Sequence, residues 1–336
     1  MGWLEAKAGH SPATQGMSAP GGKILVIRGG AIGDFILTLP AIAALRRQFP
    51  GASIEVLGYP HIVQLAVAGG LVDRAMPIEA GALAGFFARG GVLSEELADY
   101  FSEFDLIVSY LYDPDLTFQT NVRLSSHAQF IAGPHRPDER AGLPAAKAYL
   151  KPLERLAIFD ADPVPALRIA GSPRVAQPFA DQIVEPRTGT LALHPGSGSN
   201  RKNWPETQWA QLVEWLINAT SLNLFVVGGE AEGERLQRLA SALPPTRTRV
   251  AQSLALADLA CLLAGCAGFV GHDSGISHLA AALGVPTLVL WGDTIEAIWR
   301  PPSERVTVLR WPAGLEQLPV VNVAEQIAGL LGLTSG

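Results

Sequence analysis

Short apolar runs alternate with longer helix-patterned stretches along this chain, and they do so twice, on either side of a proline-rich break. A run of four to six apolar residues reads as a strand buried on both faces. Stretches of ten or more residues between such runs are long enough for right-handed crossovers, so each half predicts a parallel sheet covered by helices. In the first half strands are predicted at Lys23–Arg28, Ala52–Leu57, Arg74–Ile78 and Leu106–Tyr110, with helices from the 29–34 turn to about Phe49 and at Tyr149–Phe159. In the second half they fall at Leu191–His194, Leu222–Val227, Gly268–Val270 and Thr287–Trp291, with helices at Thr207–Ile217, Asp258–Cys266 and His278–Leu283. The break, Asp160–Thr190, holds Pro163, Pro165, Pro173, Pro178 and Pro186, the punctuation of a linker. The expected organisation is α/β: a flexible leader at 1–22, one Rossmann-like domain at 23–165, a linker at 166–189, a second such domain at 190–321 and a final helix within 322–336.

Composition agrees with two cores and narrows the function. The chain has 336 residues, of which 48% are hydrophobic and 17% charged, enough to fill two domains and too apolar for disorder. Its formal net charge of −6 argues against a dedicated nucleic-acid binder. Local charge runs the other way: Arg123, Arg136, Arg140, Lys147, Lys151 and Arg155 lie close in sequence with His127 and His135 among them. They form either a solvated face or an acceptor site for an anionic substrate. The two cysteines, Cys261 and Cys266, have neither CxxC nor disulfide-framework spacing, so buried thiols in a reducing compartment are expected. The first twenty-two residues lack an apolar h-region, and no run of about eighteen apolar residues occurs. A soluble cytoplasmic protein able to visit a membrane surface is the expectation.

Four turns at the ends of predicted strands carry the chemistry. Gly29-Gly30-Ala31-Ile32-Gly33-Asp34 misses the G-x-G-x-x-G spacing and places an acid where a dinucleotide fold needs a glycine. Asp34 is thus either a cap for the helix that follows or a general base on a cleft wall. The turn from Pro195 to Glu206 combines Ser197, Gly198 and Ser199 with Lys202, a diphosphate grip that is not a Walker A loop. Gly228-Gly229-Glu230-Ala231-Glu232 offers carboxylates suited to ribose hydroxyls. In Asp273-Ser274-Gly275-Ile276-Ser277-His278 an acid precedes a helix start, where unpaired amides and the helix dipole favour anions. Asp273 would repel a phosphate there, which suits it instead to sugar hydroxyls beside amides that hold the anion.

In this order and combination, Gly30-Ala31-Ile32-Gly33-Asp34 with Leu39-Pro40-Ala41, His194-Pro195-Gly196 with Lys202-Asn203-Trp204-Pro205, Gly228-Gly229-Glu230-Ala231-Glu232 and Asp273-Ser274-Gly275-Ile276-Ser277-His278 resemble glycosyltransferase family 9, the ADP-heptose:lipopolysaccharide heptosyltransferases. The resemblance spans roughly Lys23 to Val323. It implies a GT-B fold whose two Rossmann-like domains face a central cleft, acceptor in the N-terminal one and nucleotide-sugar in the C-terminal one, with the last helix crossing back onto the N-terminal domain. It implies inverting, metal-independent transfer of a heptose or related sugar, with no cofactor beyond the nucleotide-sugar donor. By matched positions Asp34 is the base, and Lys202 neutralises the departing diphosphate with Ser197, Gly198 and Ser199. Glu232 holds ribose, Asp273 sugar hydroxyls, Ser274 and Gly275 the phosphates, with His278 nearby. Arg123, Arg136 and Arg140 are acceptor-side candidates, and the partners are an anionic glycolipid and the inner face of the cytoplasmic membrane, with no nucleic acid. This chain departs from the family at Trp291-Gly292-Asp293-Thr294, where Gly-Pro-Thr is common. A nucleotide-sugar epimerase and a non-catalytic nucleotide-binding protein are the competing readings.

Overall fold

The computed structural model describes residues 21–79, 81–91, 94–169, 189–229, 233–241 and 243–333. The leader expected at 1–22 and the linker expected at 166–189 lie mostly outside the described residues.

The first half forms β1 (Lys23–Arg28), α1 (Ile32–Gln48), β2 (Ser53–Gly58), α2 (Pro60–Ala68), β3 (Arg74–Pro77), α3 (Glu95–Ser102), β4 (Leu106–Ser109), α4 (Thr117–Ser125), β5 (Gln129–Ala132) and α5 (Ala145–Leu150). Its five strands are parallel in the order β3-β2-β1-β4-β5. The helix expected at Tyr149–Phe159 is instead the end of α5 and a 3₁₀ segment, Lys151–Leu156, closed by Ala157 in the left-handed region at φ 54°.

The second half forms β6 (Thr190–Leu193), α6 (Glu206–Ala219), β7 (Asn223–Gly228), α7 (Gly233–Ser241), β8 (Thr248–Gln252), α8 (Leu256–Ala264), β9 (Gly268–His272), α9 (Gly275–Ala282), β10 (Thr287–Trp291), α10 (Glu296–Trp299), β11 (Val306–Arg310) and α11 (Val320–Leu331). Its six parallel strands run β8-β7-β6-β9-β10-β11. Strands β9 and β10 are buried at every position, as parallel strands covered on both faces must be.

Both sheets therefore have a topological switch point beside their first strand, between β1 and β4 and between β6 and β9. Loops leaving such neighbours diverge and open a crevice at the carboxyl ends of the strands. The turn with Asp34 follows β1, the loop with Lys202 follows β6, and the turn with Asp273 follows β9, so the topology alone sends all three to crevices.

Packing joins the halves. Helix α1 is buried on nearly every side because it lies between α5 of its own half and α9 of the other. Phe35, Ile36 and Leu39 share one apolar cluster with Leu259, Leu279 and Ala280. Leu167, inside the expected linker, already packs in that cluster, and its amide donates to the Ala282 carbonyl at 2.8 Å.

The expectation that the last helix crosses to the N-terminal half is corrected. Val323, Ala324 and Ile327 of α11 enter the second-half core with Trp204, Trp209 and Leu212, and the helix packs on α6 and β10. Their i, i+1, i+4 spacing gives the helix one apolar stripe, and the Trp204 indole N–H fixes the segment before it by donating to the Leu318 carbonyl at 3.0 Å.

Candidate functional site

Strand β1 ends on Arg28, the chain turns through Gly30 at φ +104°, and α1 begins at Ile32 with Asp34 as its third residue. Asp34 reaches back along its own helix: Oδ2 accepts the Ala31 N–H at 3.3 Å, half of a capping box. The other oxygen faces a built environment. Oδ1 lies 3.5 Å from Nη2 of Arg28 and accepts from the Tyr149 hydroxyl at 3.4 Å. Arg28 is only 3% exposed; its guanidinium donates to the carbonyls of His135 at 2.8 Å and Asp34 at 3.3 Å and stacks 4.5 Å from the Tyr149 ring centroid. Burial pushes the Tyr149 phenol up to about 12, so it remains a donor at neutral pH. Asp34 thus both caps its helix and lines the cleft, with two groups fixing its direction.

On the facing wall, the loop after β6 turns through Gly198 at φ +73° and closes in a 3₁₀ turn, Asn200–Lys202. Lys202 Nζ meets Asp273 Oδ2 at 2.8 Å, and the Thr294 hydroxyl donates to the same oxygen at 2.6 Å. Thr294 is itself held, its carbonyl accepting from the Trp291 indole at 2.9 Å. Both contacts fall on Oδ2, and among the described residues no hydrogen bond engages Oδ1 of Asp273. Because Asp273 turns aside onto Lys202 and Thr294, the first-turn amides of α9 face the cleft without an acid on them.

Glycines let the two walls touch. A Cβ at Gly275 would lie 2.7 Å from Cβ of Ile32 and 3.0 Å from the Gly33 nitrogen, and one at Gly33 would lie 3.3 Å from the His278 ring. The starts of α1 and α9 meet there, with His278 buried beside them. Burial brings the His278 imidazole down to about 4 against the opposing pull of Asp273 and Asp34, so it is neutral at pH 7. His194, at the end of β6, is likewise driven to about 4 by burial and sits 3.5 Å from the Ser274 hydroxyl.

Two pockets join at this seam. One, of about 360 Å³, is lined by Asp34, Arg136, Lys202, Asp273, His278 and Trp299. The other, of about 390 Å³, is lined by His194, Val227, Gly228, Leu254, Leu259 and Ile276. Ala31, Ser197, Ser274 and Gly275 border both. The arrangement suits a ligand with a flat apolar ring at one end, an anion at the helix starts and a polyhydroxyl group at the other end.

Most residues singled out from the sequence converge here: Asp34, Ser197, Gly198, Lys202, Asp273, Ser274, Gly275 and His278, with Arg136 on the acceptor side. Ser199 does not line either pocket; its carbonyl accepts from the Ser197 hydroxyl and the Lys202 amide, so it shapes the loop. Arg123, on α4, and Arg140, in the 139–141 turn, stand outside the lining residues. Glu232 lies outside the described residues. Among the described residues no group of three or more His, Cys, Asp or Glu is placed to hold a metal ion, and no helix is long and apolar enough to cross a membrane.

Sequence reasoning missed Arg28, Tyr149, Thr294 and Trp299. An arginine closing an otherwise apolar strand six residues before Asp34 was a readable signal for the first. Trp299 bridges the halves, its indole donating to Glu139 at 3.0 Å while Arg136 stacks 5.7 Å from its ring.

Residues 161–322 match the family model described as Glycosyltransferase family 9 (heptosyltransferase). Lipopolysaccharide heptosyltransferase 1 of Pseudomonas aeruginosa is 43% identical over 110 residues, 33% of this chain and 30% of that one. Lipopolysaccharide heptosyltransferase 1 of Escherichia coli is 23% identical over 321 residues, 88% of this chain and 99% of that one. Among solved structures, the E. coli ADP-heptose lipopolysaccharide heptosyltransferase II superposes with a TM-score of 0.75 at 20% identity, covering 92% of this chain and 98% of that chain. A family 9 glycosyltransferase from Veillonella parvula superposes with a TM-score of 0.77 at 19% identity, over 93% and 98%.

Proposed function

From the match of residues 161–322 to glycosyltransferase family 9 we propose that the chain is a member of that family and an inverting heptosyltransferase working without a metal, moving heptose from ADP-heptose to a lipopolysaccharide-core acceptor. One observation carries the reading: Asp34 from one half and the Lys202–Asp273 pair from the other line a single pocket of about 360 Å³. A base and a cation on opposite walls suit in-line displacement.

The Asp34 carboxylate takes the proton of the acceptor hydroxyl as that oxygen attacks the anomeric carbon. The bond from that carbon to the diphosphate breaks on the opposite face, and its electron pair leaves with ADP. Charge grows on the diphosphate as the bond lengthens, so the Lys202 ammonium and the first amides of α9 stabilise the transition state more than the ground state. Arg28 and Tyr149 hold Asp34 in one orientation. Asp273 Oδ1 accepts a donor-sugar hydroxyl, Ser274 and Gly275 present amides to the phosphates, and His278 packs neutral beneath the sugar. Glu232 takes the ribose role. On the acceptor side, Arg136 meets an anionic glycolipid, and the protein works peripherally at the cytoplasmic face of the inner membrane.

The test is turnover with ADP-heptose and a heptose-less lipopolysaccharide acceptor, run beside UDP- and GDP-sugars, with the anomeric configuration of the product read by NMR. Inverted product from the ADP donor is expected. A preference for a UDP donor, or epimerised donor without acceptor consumption, overturns the substrate assignment.

A further inference from the structure

A buried histidine beside the site, His272, is used by none of the steps above. It closes β9, is 0% exposed, and immediately precedes Asp273. Both ring nitrogens are engaged. Nε2 lies 2.8 Å from the Trp204 amide nitrogen, and Nδ1 lies 3.0 Å from the Gly196 carbonyl oxygen. The chemistry of the partners fixes the tautomer: an amide N–H can only donate, so Nε2 carries the lone pair, and a carbonyl can only accept, so Nδ1 carries the proton.

Those partners sit at the two ends of one loop. Gly196 opens, and Trp204 closes, the segment that carries Ser197 and Lys202. Within the loop the Ser197 hydroxyl and the Lys202 amide both donate to the Ser199 carbonyl, at 2.8 and 3.0 Å, which gives its interior a turn but no tie to β9. One neutral imidazole therefore ties both ends of the loop to the strand bearing Asp273, and Lys202 then reaches Asp273 at 2.8 Å. Trp209 packs against the imidazole at 5.6 Å between ring centroids, and Trp204 packs on Trp209 at 5.4 Å, which excludes water from the tie.

We propose that His272 is a positioning residue for the diphosphate grip: it staples the 196–204 loop to β9 and so places Lys202 before the donor arrives. Burial brings this imidazole down to about 3, so the staple keeps its neutral, two-bonded form throughout the physiological range. A lysine on an untied loop would have to be ordered by the ligand, at a cost in affinity. The inference rests on the reading of Lys202 as the diphosphate's partner.

The experiment compares His272→Leu, which removes both bonds, with His272→Gln, whose amide has one acceptor and one donor. Calorimetry with ADP and with adenosine, donor KM against kcat, and hydrogen exchange at the Trp204 amide are measured on the full chain. His272→Leu is expected to weaken ADP and raise donor KM by about tenfold or more, to change kcat less, to leave adenosine within twofold and to speed Trp204 exchange; His272→Gln recovers part of each. If His272→Leu does not fold, His272→Asn, too short to make both bonds, is expected to weaken ADP at least threefold with faster Trp204 exchange. ADP affinity within twofold of the parent in a folded variant whose Trp204 amide has loosened overturns the proposal. So does an equal loss for adenosine, which would mark a general structural defect. Lys202→Ala is run alongside: if that change leaves ADP affinity intact, the grip reading fails, while the Trp204 exchange still reports whether His272 holds the loop.

Discussion

Two helix starts meet at the seam of this molecule, each with an acid beside it, and they use that acid in opposite ways. At α1 the acid is inside the helix: Asp34 turns back and accepts the Ala31 amide at 3.3 Å, so this helix end supplies part of its own anion. At α9 the acid is outside: Asp273 precedes the Ser274 cap and is drawn off by Lys202 at 2.8 Å and Thr294 at 2.6 Å. The first-turn amides of α9 stay open. Position within one turn of helix thus decides whether a carboxylate occupies an anion site or vacates it, and the vacated one stays available to an anion.

The sharpest way to break the comparison is to remove the acid that stays. Asp34→Asn keeps the shape and an acceptor for the Ala31 amide but cannot take a proton. Transfer should fall by about 10³-fold or more, within the range for a lost general base, while ADP affinity stays within a few-fold. Near-normal kcat in this variant would reduce Asp34 to a helix cap.

Next comes the cation that draws off the other acid. Lys202→Ala should weaken ADP by about 10–100-fold, the scale of a charge-assisted contact, with a smaller loss for AMP and almost none for adenosine. It also frees Asp273 to face the α9 amides, so part of the loss is repulsion. Lys202→Ala combined with Asp273→Asn should therefore bind ADP better than Lys202→Ala alone. Equal affinities would show that Asp273 does not compete for that helix start.

A smaller effect belongs to Thr294, at the end of the Gly292-Asp293-Thr294 turn after β10. Thr294→Val keeps the shape and removes one of two donors to Asp273 Oδ2. Donor KM should rise about three- to tenfold, the scale of one buried hydrogen bond, with ADP affinity unchanged because Lys202 remains. A matching loss for ADP would mean that Thr294 serves the diphosphate and not the sugar end.

How legible all this was depends on where each residue's role comes from. The central strands were readable because strands buried on both faces are short apolar runs. Of the four edge strands only β3 was read; β5, β8 and β11 escaped because polar residues interrupt their apolar runs, as in Thr248-Arg249-Val250-Ala251-Gln252. Asp34, Lys202 and Asp273 were readable because topology sends the ends of particular strands to a crevice. Tyr149 was not, since it lies 115 residues from the carboxylate it meets, and nothing local marks it. The last helix was misplaced for the same reason: family resemblance assigned it a destination, while the stripe of Val323, Ala324 and Ile327 fits the core beside Trp204 and Trp209.

The gentlest probe of the seam is pH. His278 lies between the two acids and is the group most exposed to their difference, with Asp34, Asp273 and Lys202 as its charged neighbours. Burial depresses it from 6.5 to about 4, despite both carboxylates pulling upward. In that window the unfolded chain binds a proton that the folded chain does not. The stability His278 contributes is therefore complete above about pH 6.5 and is lost as pH falls toward 4. His194, at about 4, and His272, at about 3, add to the same slope. Melting temperature should drop by several degrees between pH 6.5 and 4.5, at roughly 2–4 °C per kcal/mol for a chain of this order of size. His278→Asn removes one titrating group and should flatten the decline by a degree or more in a calorimetric series. If the variant and the parent decline in parallel, His278 does not titrate between the two helix starts, and the charges of Asp34 and Asp273 balance there more closely than their opposite uses imply.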